Sequence, residues 1–332
     1  MNRRNKVFLA SVLFSTVFSV GLTTVAAKAA GKYANWPEET VRLCVPLSAG
    51  GNVDNYARID AEFFSKTAGK PMIVENLKTG GGILCYETVR NAKPDGYTLM
   101  IYNSSLFSSY YTGSYGYSPI DYFTPICTLQ NKGGSAIIVR ADSKWQTLDD
   151  LVKTAREKPG TIKFGMHRQS AAEFIVKLLE KDGNCKFKVV DAGSNNDRVT
   201  AMLGGLIDVT TNSISSAMQY VKKGDFRILC TTDTQQSPYA PGVKTAIEQG
   251  YPSVIYSSQT VLYGPAGMDP ELVERISAIF SQLEKDETAF GKSQKAAAPI
   301  NFKNVTDTIA EVQSQNALMK SVADMLGYQY KK

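Results

Sequence analysis

Along the chain, short apolar runs alternate with longer stretches carrying one apolar face every three to four residues, the signatures of buried strands and amphipathic helices. Residues 41–45 (V-R-L-C-V) form the first run, and a small-residue loop, P-L-S-A-G-G-N, follows it. Val53, Tyr56, Ala57, Phe63 and Phe64 then give a helical face that stops at Gly69. Residues 72–75 read as a short strand, glycines 80–82 open a helix to about 92, and 97–102 is a strand ending in Asn103-Ser104-Ser105. Thr147 reads as an N-cap, with Asp149 and Asp150 in the first turn and Leu148, Leu151, Val152 and Ala155 on one face. Further strands are predicted at 162–165, 187–190, 207–211, 226–231 and 255–263, with helices near 170–181, 195–203, 214–223 and 243–249. Amphipathic helices at 270–283 and 305–325 close the chain. This alternation predicts an α/β protein whose parallel sheets are covered by helices, with no internal repeat and no low-complexity linker.

Residues 1–29 read as an address. Arg3, Arg4 and Lys6 open the segment without an acid, and 7–25 is mostly apolar. Ala27-Lys28-Ala29 supplies the small-x-small pattern of a cleavage site. The alternative is an uncleaved anchor, but the stretch is short and diluted by Ser and Thr for a span of about 20 apolar residues. Ala30, not a cysteine, stands immediately after the cut, which argues against a lipoprotein. The expectation is a cleaved signal peptide and an exported, soluble, periplasmic protein. Taking Arg3, Arg4, Lys6 and Lys28 from the 37 basic side chains leaves 33 against 31 acidic ones, a balance of +2. The basic character of the whole chain is therefore mostly that of the address, and gives no warrant for a nucleic-acid partner. The roughly 300 remaining residues suffice for one large domain or two ordinary ones.

Five cysteines follow, Cys44, Cys85, Cys127, Cys185 and Cys230. An odd count leaves at least one thiol unpaired, and no pair has C-x-x-C spacing. Cys44, Cys127 and Cys230 sit in apolar runs and read as small buried hydrophobes. Buried free thiols are expected, with one disulfide left open by an oxidising compartment. His167 is the only histidine and no G-x-S-x-G elbow occurs. A His-rich metal site and most hydrolytic chemistry are thereby disfavoured, and no cofactor or metal is expected.

The loop after the first strand carries the most chemistry. It sets the amides of Gly50, Gly51 and Asn52 at a helix N-terminus, where unpaired N–H groups and a partial positive charge attract carboxylate or phosphate. It lacks the lysine of a P-loop and does not match G-x-G-x-x-G. A plain strand-to-helix turn that uses glycine for its geometry accounts for the same residues.

Several segments, in order, resemble one family, the periplasmic solute receptors of tripartite tricarboxylate transporters, also called Bug or TctC-like proteins. Trp36-Pro37 and the stretch to Asp54 resemble the family's V-P-(F/L)-x-x-G-G-x-x-D opening. Ile73-Val74-Glu75-Asn76, glycines 80–82 and Pro94-Asp95-Gly96-Tyr97-Thr98-Leu99 resemble V-V-E-N, G-G and P-D-G-Y-T-L. Residues 198–209 resemble its L-L-G-G-x-(V/I)-D segment, 223–229 its K-x-G-K-(L/V)-R-x-L and 264–267 its A-P-A-G-x-P. The resemblance covers nearly the whole mature chain. It implies a type II periplasmic-binding-protein fold, with two α/β lobes around a ligand cleft: 33–130 plus 258–332, and 131–257. It further implies a monomeric receptor, not an enzyme, that passes a small organic anion to the transporter's membrane subunits. A receptor serving a membrane histidine kinase, or an exported enzyme, are the alternatives.

Family members hold a ligand carboxylate between two loops, so the resemblance carries the first loop onto Ser48, Ala49, Gly50, Gly51 and Asn52. Asp54 either faces the site or complements the helix dipole. Asn103, Ser104 and Ser105 end a strand on the same lobe. The second loop departs from the family's G-S-x-G-x-G-S: here it reads Gly165-Met166-His167-Arg168-Gln169-Ser170. Arg168 offers a guanidinium matched to carboxylate, or is a surface arginine. His167, Gln169 and Ser170 share its standing. Ser194, Asn195, Asn212 and Ser213 are ligand candidates whose default role is N-capping. Tyr256, Ser258 and Gln259 lie near the second crossing, and Tyr110, Tyr111, Tyr115 and Tyr117 form a packing or lid segment.

Overall fold

The computed structural model describes residues 31–167, 170–193, 195–295 and 299–330. Strand β1 (Val41–Val45) is buried at every position but Arg42 because it is flanked on both sides. It runs parallel to β2 (Met72–Asn76) and to β3 (Thr98–Tyr102). Helix α1 (Asn52–Ala68) makes the first crossover and ends where predicted, on left-handed Gly69, whose N–H donates to Ser65 O. A 3-10 turn, Thr79–Gly82, leads into α2 (Ile83–Arg90), the second crossover. With the strand order β2-β1-β3, that crossover must pass over β1, and right-handed connections put α1 and α2 on opposite faces. Gly82 lets the start of α2 close on the end of β1: a Cβ there would lie 2.7 Å from Pro46 Cβ.

After α3 (Ser105–Tyr111) and α4 (Pro119–Tyr122), the chain enters β4 (Phe123–Arg140), which serves two sheets. The second sheet is built from α5 (Leu148–Glu157), β5 (Lys163–Met166), α6 (Ala171–Gly183), β6 (Lys188–Asp191), α7 (Asn195–Leu203), β7 (Val209–Ser213), α8 (Ile214–Lys223) and β8 (Phe226–Thr231). Strand β9 (Ser257–Pro265) returns to the first sheet, followed by α9 (Pro270–Phe280), α10 (Glu287–Lys295), β10 (Ile300–Lys303) and α11 (Val305–Leu326). Alternate residues of β4 feed two cores. Ile137 and Val139 pack with Phe164, Phe174 and Leu151, while Ala136 and Ile138 pack with Val199, Met202 and Phe226.

Two expectations are corrected. The sheets are mixed, because β8, β9 and β10 all run antiparallel to β4; hydrophobic periodicity reports a strand but not its direction. The helix predicted at 243–249 shrinks to a 3-10 turn, Ile247–Gln249. Thr245 is spent on a bridge to Thr231 and on exchanging bonds with Glu248, whose backbone N–H its Oγ1 accepts at 3.1 Å. The tyrosine segment is packing: Tyr110 and Tyr111 lie in α3, and both rings, with Tyr115, are buried. Cys44, Cys127 and Cys230 are buried as expected.

Strand direction positions the loops. Strand β9 is antiparallel to both β3 and β4, so β1, β3 and the first half of β4 point the same way. Strands β5, β6 and β7 are mutually parallel and oppose β4. The C-terminal ends of β1 and β3 therefore face those of β5, β6 and β7. Tyr102 is level with Thr128 of β4 through their shared partner Val261, and Ser213 pairs with Ser135. Those two levels are roughly 20 Å apart along the strand.

Between these levels β4 passes Gly134, whose N–H donates to Asp233, while Ser135 N–H donates to Thr232 Oγ1 (2.8 Å) and Thr232 Oγ1 to Tyr256 O (2.6 Å). Three crossing segments are stitched here. A Cβ on Gly134 would sit 2.7 Å from Asp233 N and 2.8 Å from Thr232 C, backbone atoms that cannot turn aside. Gly134→Ala is expected to cost about 3 kcal/mol by overpacking, read as a lower urea midpoint. An unchanged midpoint would mean that the crossing is loosely packed.

Candidate ligand-binding site

On the first sheet, the chain leaves β1 through exposed Ser48, Ala49 and Gly50 and enters α1 at Gly51, an N-cap without a side-chain hydrogen bond. Asp54, fully buried, folds back onto this loop. Its carboxylate accepts from Gly50 N–H (2.8 Å), Arg58 Nε and Nη2 (2.9 and 3.0 Å) and Asn76 Nδ2 (2.9 Å). Burial opposes its ionisation, but these donors prevail and hold the carboxyl below its ordinary range. Asn76 Nδ2 also donates to Leu47 O at 3.0 Å, and Gly51 N–H to Ser48 O at 3.3 Å. The row of bare amides expected here is thus partly spent within the loop. Gly50 and Gly51 shape the turn, whereas the amides of Asn52 and Val53 lie in the first helical turn, where no helical acceptor reaches.

Beside it, β3 ends at Asn103, whose Oδ1 accepts Ser105 N–H at 2.9 Å. Buried Ser104 is hydrogen-bonded to Tyr256 Oη at 2.8 Å. Burial pushes that phenol up to about 12, so it stays neutral. Ser104 thereby ties the first sheet to the segment that crosses between the sheets.

On the second sheet, β5 ends at His167, whose Nδ1 lies 3.2 Å from Asp191 Oδ1 at the end of β6. Both side chains are exposed, so the pair contributes little. Ser170 caps α6, accepting Ala172 N–H at 3.2 Å while donating to His167 O at 2.6 Å. Ser213 caps α8, and Asn212 Oδ1 accepts the N–H of Ser213 at 2.9 Å. Arg168, Gln169 and Ser194 lie outside the described residues.

Arg198 is the residue that the sequence reading passed over as a binding group. It is 6% exposed, on the inner face of α7. Its guanidinium donates to Gly193 O (2.7 Å), to Thr211 O (3.3 Å) and to exposed Asn195 Oδ1. All three acceptors are neutral, and its Nε–H is buried without an acceptor. Burial pulls the guanidinium down to about 10, against the fields of Asp197 and Asp191. One signal was available: Arg198, Val199 and Met202 fall at i, i+1 and i+4, on the buried side of the helix.

The structure therefore brings His167, Ser170, Asn195, Asn212 and Ser213 to one set of strand ends, with Arg198 in contact with Asn195 and with Thr211 of β7. It brings Ser48, Gly50, Gly51, Asn103 and Ser104 to the opposed set. Among the described residues the groups so placed are amides, hydroxyls, the His167 ring, helix N-termini and one buried guanidinium, a donor set suited to an anion. Among the described residues no group of His, Cys, Asp and Glu is arranged to hold a metal ion.

Two sheets joined by long crossing strands, with opposed loops between them, define a periplasmic-binding-protein fold. The family described as "Tripartite tricarboxylate transporter family receptor" matches residues 56–323, and the chain belongs to it. Among its relatives is the "UPF0065 protein in gbd 5'region" of Cupriavidus necator, 27% identical and covering 85% of each chain. Protein BugT of Bordetella pertussis is 22% identical, covering 77% of this chain and 80% of its own. A TctC solute-binding protein from Polaromonas superposes with a TM-score of 0.78 at 23% identity, covering 87% of this chain and 99% of its own. Rpa4515 of R. palustris, solved with adipate, gives 0.72 at 21% identity over 88% of this chain and 98% of its own. MatC of Rhodopseudomonas palustris, with bound malate, gives 0.69 at 21% over 87% and 100%.

Proposed function

We propose that this receptor captures a small organic anion carrying at least one carboxylate, holds it between two lobes, and delivers it to the membrane subunits of a tripartite tricarboxylate-type transporter. The lobes are 33–130 with 258–332, and 131–257. The observation that carries this reading is the pair of opposed strand ends, one offering the uncapped N-terminus of α1, the other buried Arg198. A ligand carboxylate supplies the charged acceptor that Arg198's hydrogen-bond partners lack, and closure excludes water and strengthens each hydrogen bond. Malate in MatC and adipate in Rpa4515 support the carboxylate class. Arg168 and Gln169 join this site by their position after β5, and Ser194 by its position before α7. Among the described residues of this donor set no hydroxyl is hydrogen-bonded to a side-chain base, Ser170 Oγ donating to His167 O, which supports a receptor rather than an enzyme. The mature protein acts as a periplasmic monomer; N-terminal sequencing of the exported form is expected to begin at Ala30. No helix among the described residues is long and apolar enough to cross a membrane.

Uptake of labelled malate, adipate and citrate by cells with and without the gene tests the delivery step. Loss of uptake of at least one acid, restored by the gene in trans, is the expected result. Undiminished uptake of all three would overturn a transport role for these ligands.

A further inference from the structure

Cys44 lies in β1 and Cys85 in α2, both free thiols with no exposed surface. Their proximity follows from the topology: the β2-α2-β3 crossover must pass over β1. The first turn of α2 abuts the end of β1, since Gly82 packs on Pro46. Cys85 lies one turn beyond Gly82 on α2 and Cys44 two residues before Pro46, so this contact sets the two buried side chains on facing sides of the same α2–β1 interface. The other cysteines are placed differently. Cys127 is opposite Leu262 of β9, Cys230 opposite Ile137 of β4, and Cys185 lies past the end of α6 with its thiol on Leu179 O at 3.9 Å.

We infer that Cys44 and Cys85 are an oxidation site, closing a disulfide that pins α2 to β1 directly beneath the loop at 46–51. The two thiols lose their protons and two electrons to a disulfide oxidant, which is reduced to two thiols as the Cys44–Cys85 bond forms. The neighbouring Cys44 thiol and burial push the Cys85 thiol far up, and neither side chain is exposed, so an oxidant has little access once the helix is packed. Closure therefore belongs to folding, before α2 seals over the strand. An exported protein folds where such oxidants operate. The bond would leave the ligand groups untouched while fixing the strand that delivers the first loop.

The test is a thiol inventory of the full mature chain refolded in a glutathione–glutathione disulfide buffer. The protein is then unfolded, alkylated without reductant and digested with trypsin. The expected result is a linked pair of peptides, 43–58 with 79–90, with Cys127, Cys185 and Cys230 alkylated. The intact protein is then two hydrogens lighter than its reduced form, and its melting temperature falls when dithiothreitol is present during refolding. In Cys85→Ala all four remaining thiols are alkylated and dithiothreitol no longer moves the melt. Five alkylated thiols in the wild type, or a link between any other pair, would overturn the inference.

Discussion

Arg198→Met is expected to weaken binding of the carboxylate ligand by about 3 kcal/mol, roughly a hundredfold in Kd. The guanidinium is nearly sealed from solvent, and its acceptors Gly193 O, Thr211 O and Asn195 Oδ1 carry no charge. A cation so placed is costly until an anion arrives. The ligand would provide both the charge and the acceptor for the idle Nε–H. In the ligand-free protein the substitution should be close to neutral. Relief of a buried charge offsets the two carbonyls that lose their donor, leaving a change of about 1 kcal/mol or less. Titration of the variant with the acid that the wild type binds, beside a urea curve of each protein alone, separates the two effects. An unchanged affinity would mean that Arg198 only holds α7 to β7.

Asp60→Asn is expected to stabilise the protein at pH 8 by up to about 4 kcal/mol while changing little at pH 4. Asp60 of α1 is fully buried, and both its oxygens accept from Gln130 Nε2, at 2.7 and 2.8 Å. Gln130 Oε1 is buried without a donor. Burial lifts the carboxyl to about 7, with Gln130 pulling the other way. A neutral acid with the amide turned over makes two reciprocal bonds and leaves no orphan. The folded state thus keeps a proton that the unfolded chain gives up near its ordinary value of 3.8. Between these values the folded form binds more protons, so the Asp60 contribution falls as pH rises, and is flat above about 7. Asparagine keeps the paired geometry without the proton. Urea unfolding of both proteins from pH 4 to 8 checks this; an identical slope in the variant would show that Asp60 is not responsible.

Local chemistry made much of the fold legible. Gly69 ends α1 and Thr147 caps α5, because left-handed glycine and a capping hydroxyl act within a few residues. The dual membership of β4 was not legible, since its apolar pattern is the same whichever partner lies alongside and whichever way that partner runs. The first loop was found by its glycines, but Asp54 turning back onto Gly50 depends on Arg58 and Asn76 converging from a helix and a neighbouring strand. His167 meeting Asp191 depends likewise on the ends of β5 and β6 lying together. Arg198 was hidden because an arginine in a polar helix start reads as a solvated charge until tertiary packing buries it.

Calorimetric titration of the mature protein, stripped of bound ligand by unfolding and refolding, with malate, adipate and citrate and with their neutral amides, tests the central claim most directly. A single saturable site for at least one acid, with no binding of its amide, is predicted. Failure of every acid to bind, or equal binding of acid and amide, would contradict a receptor built around a carboxylate.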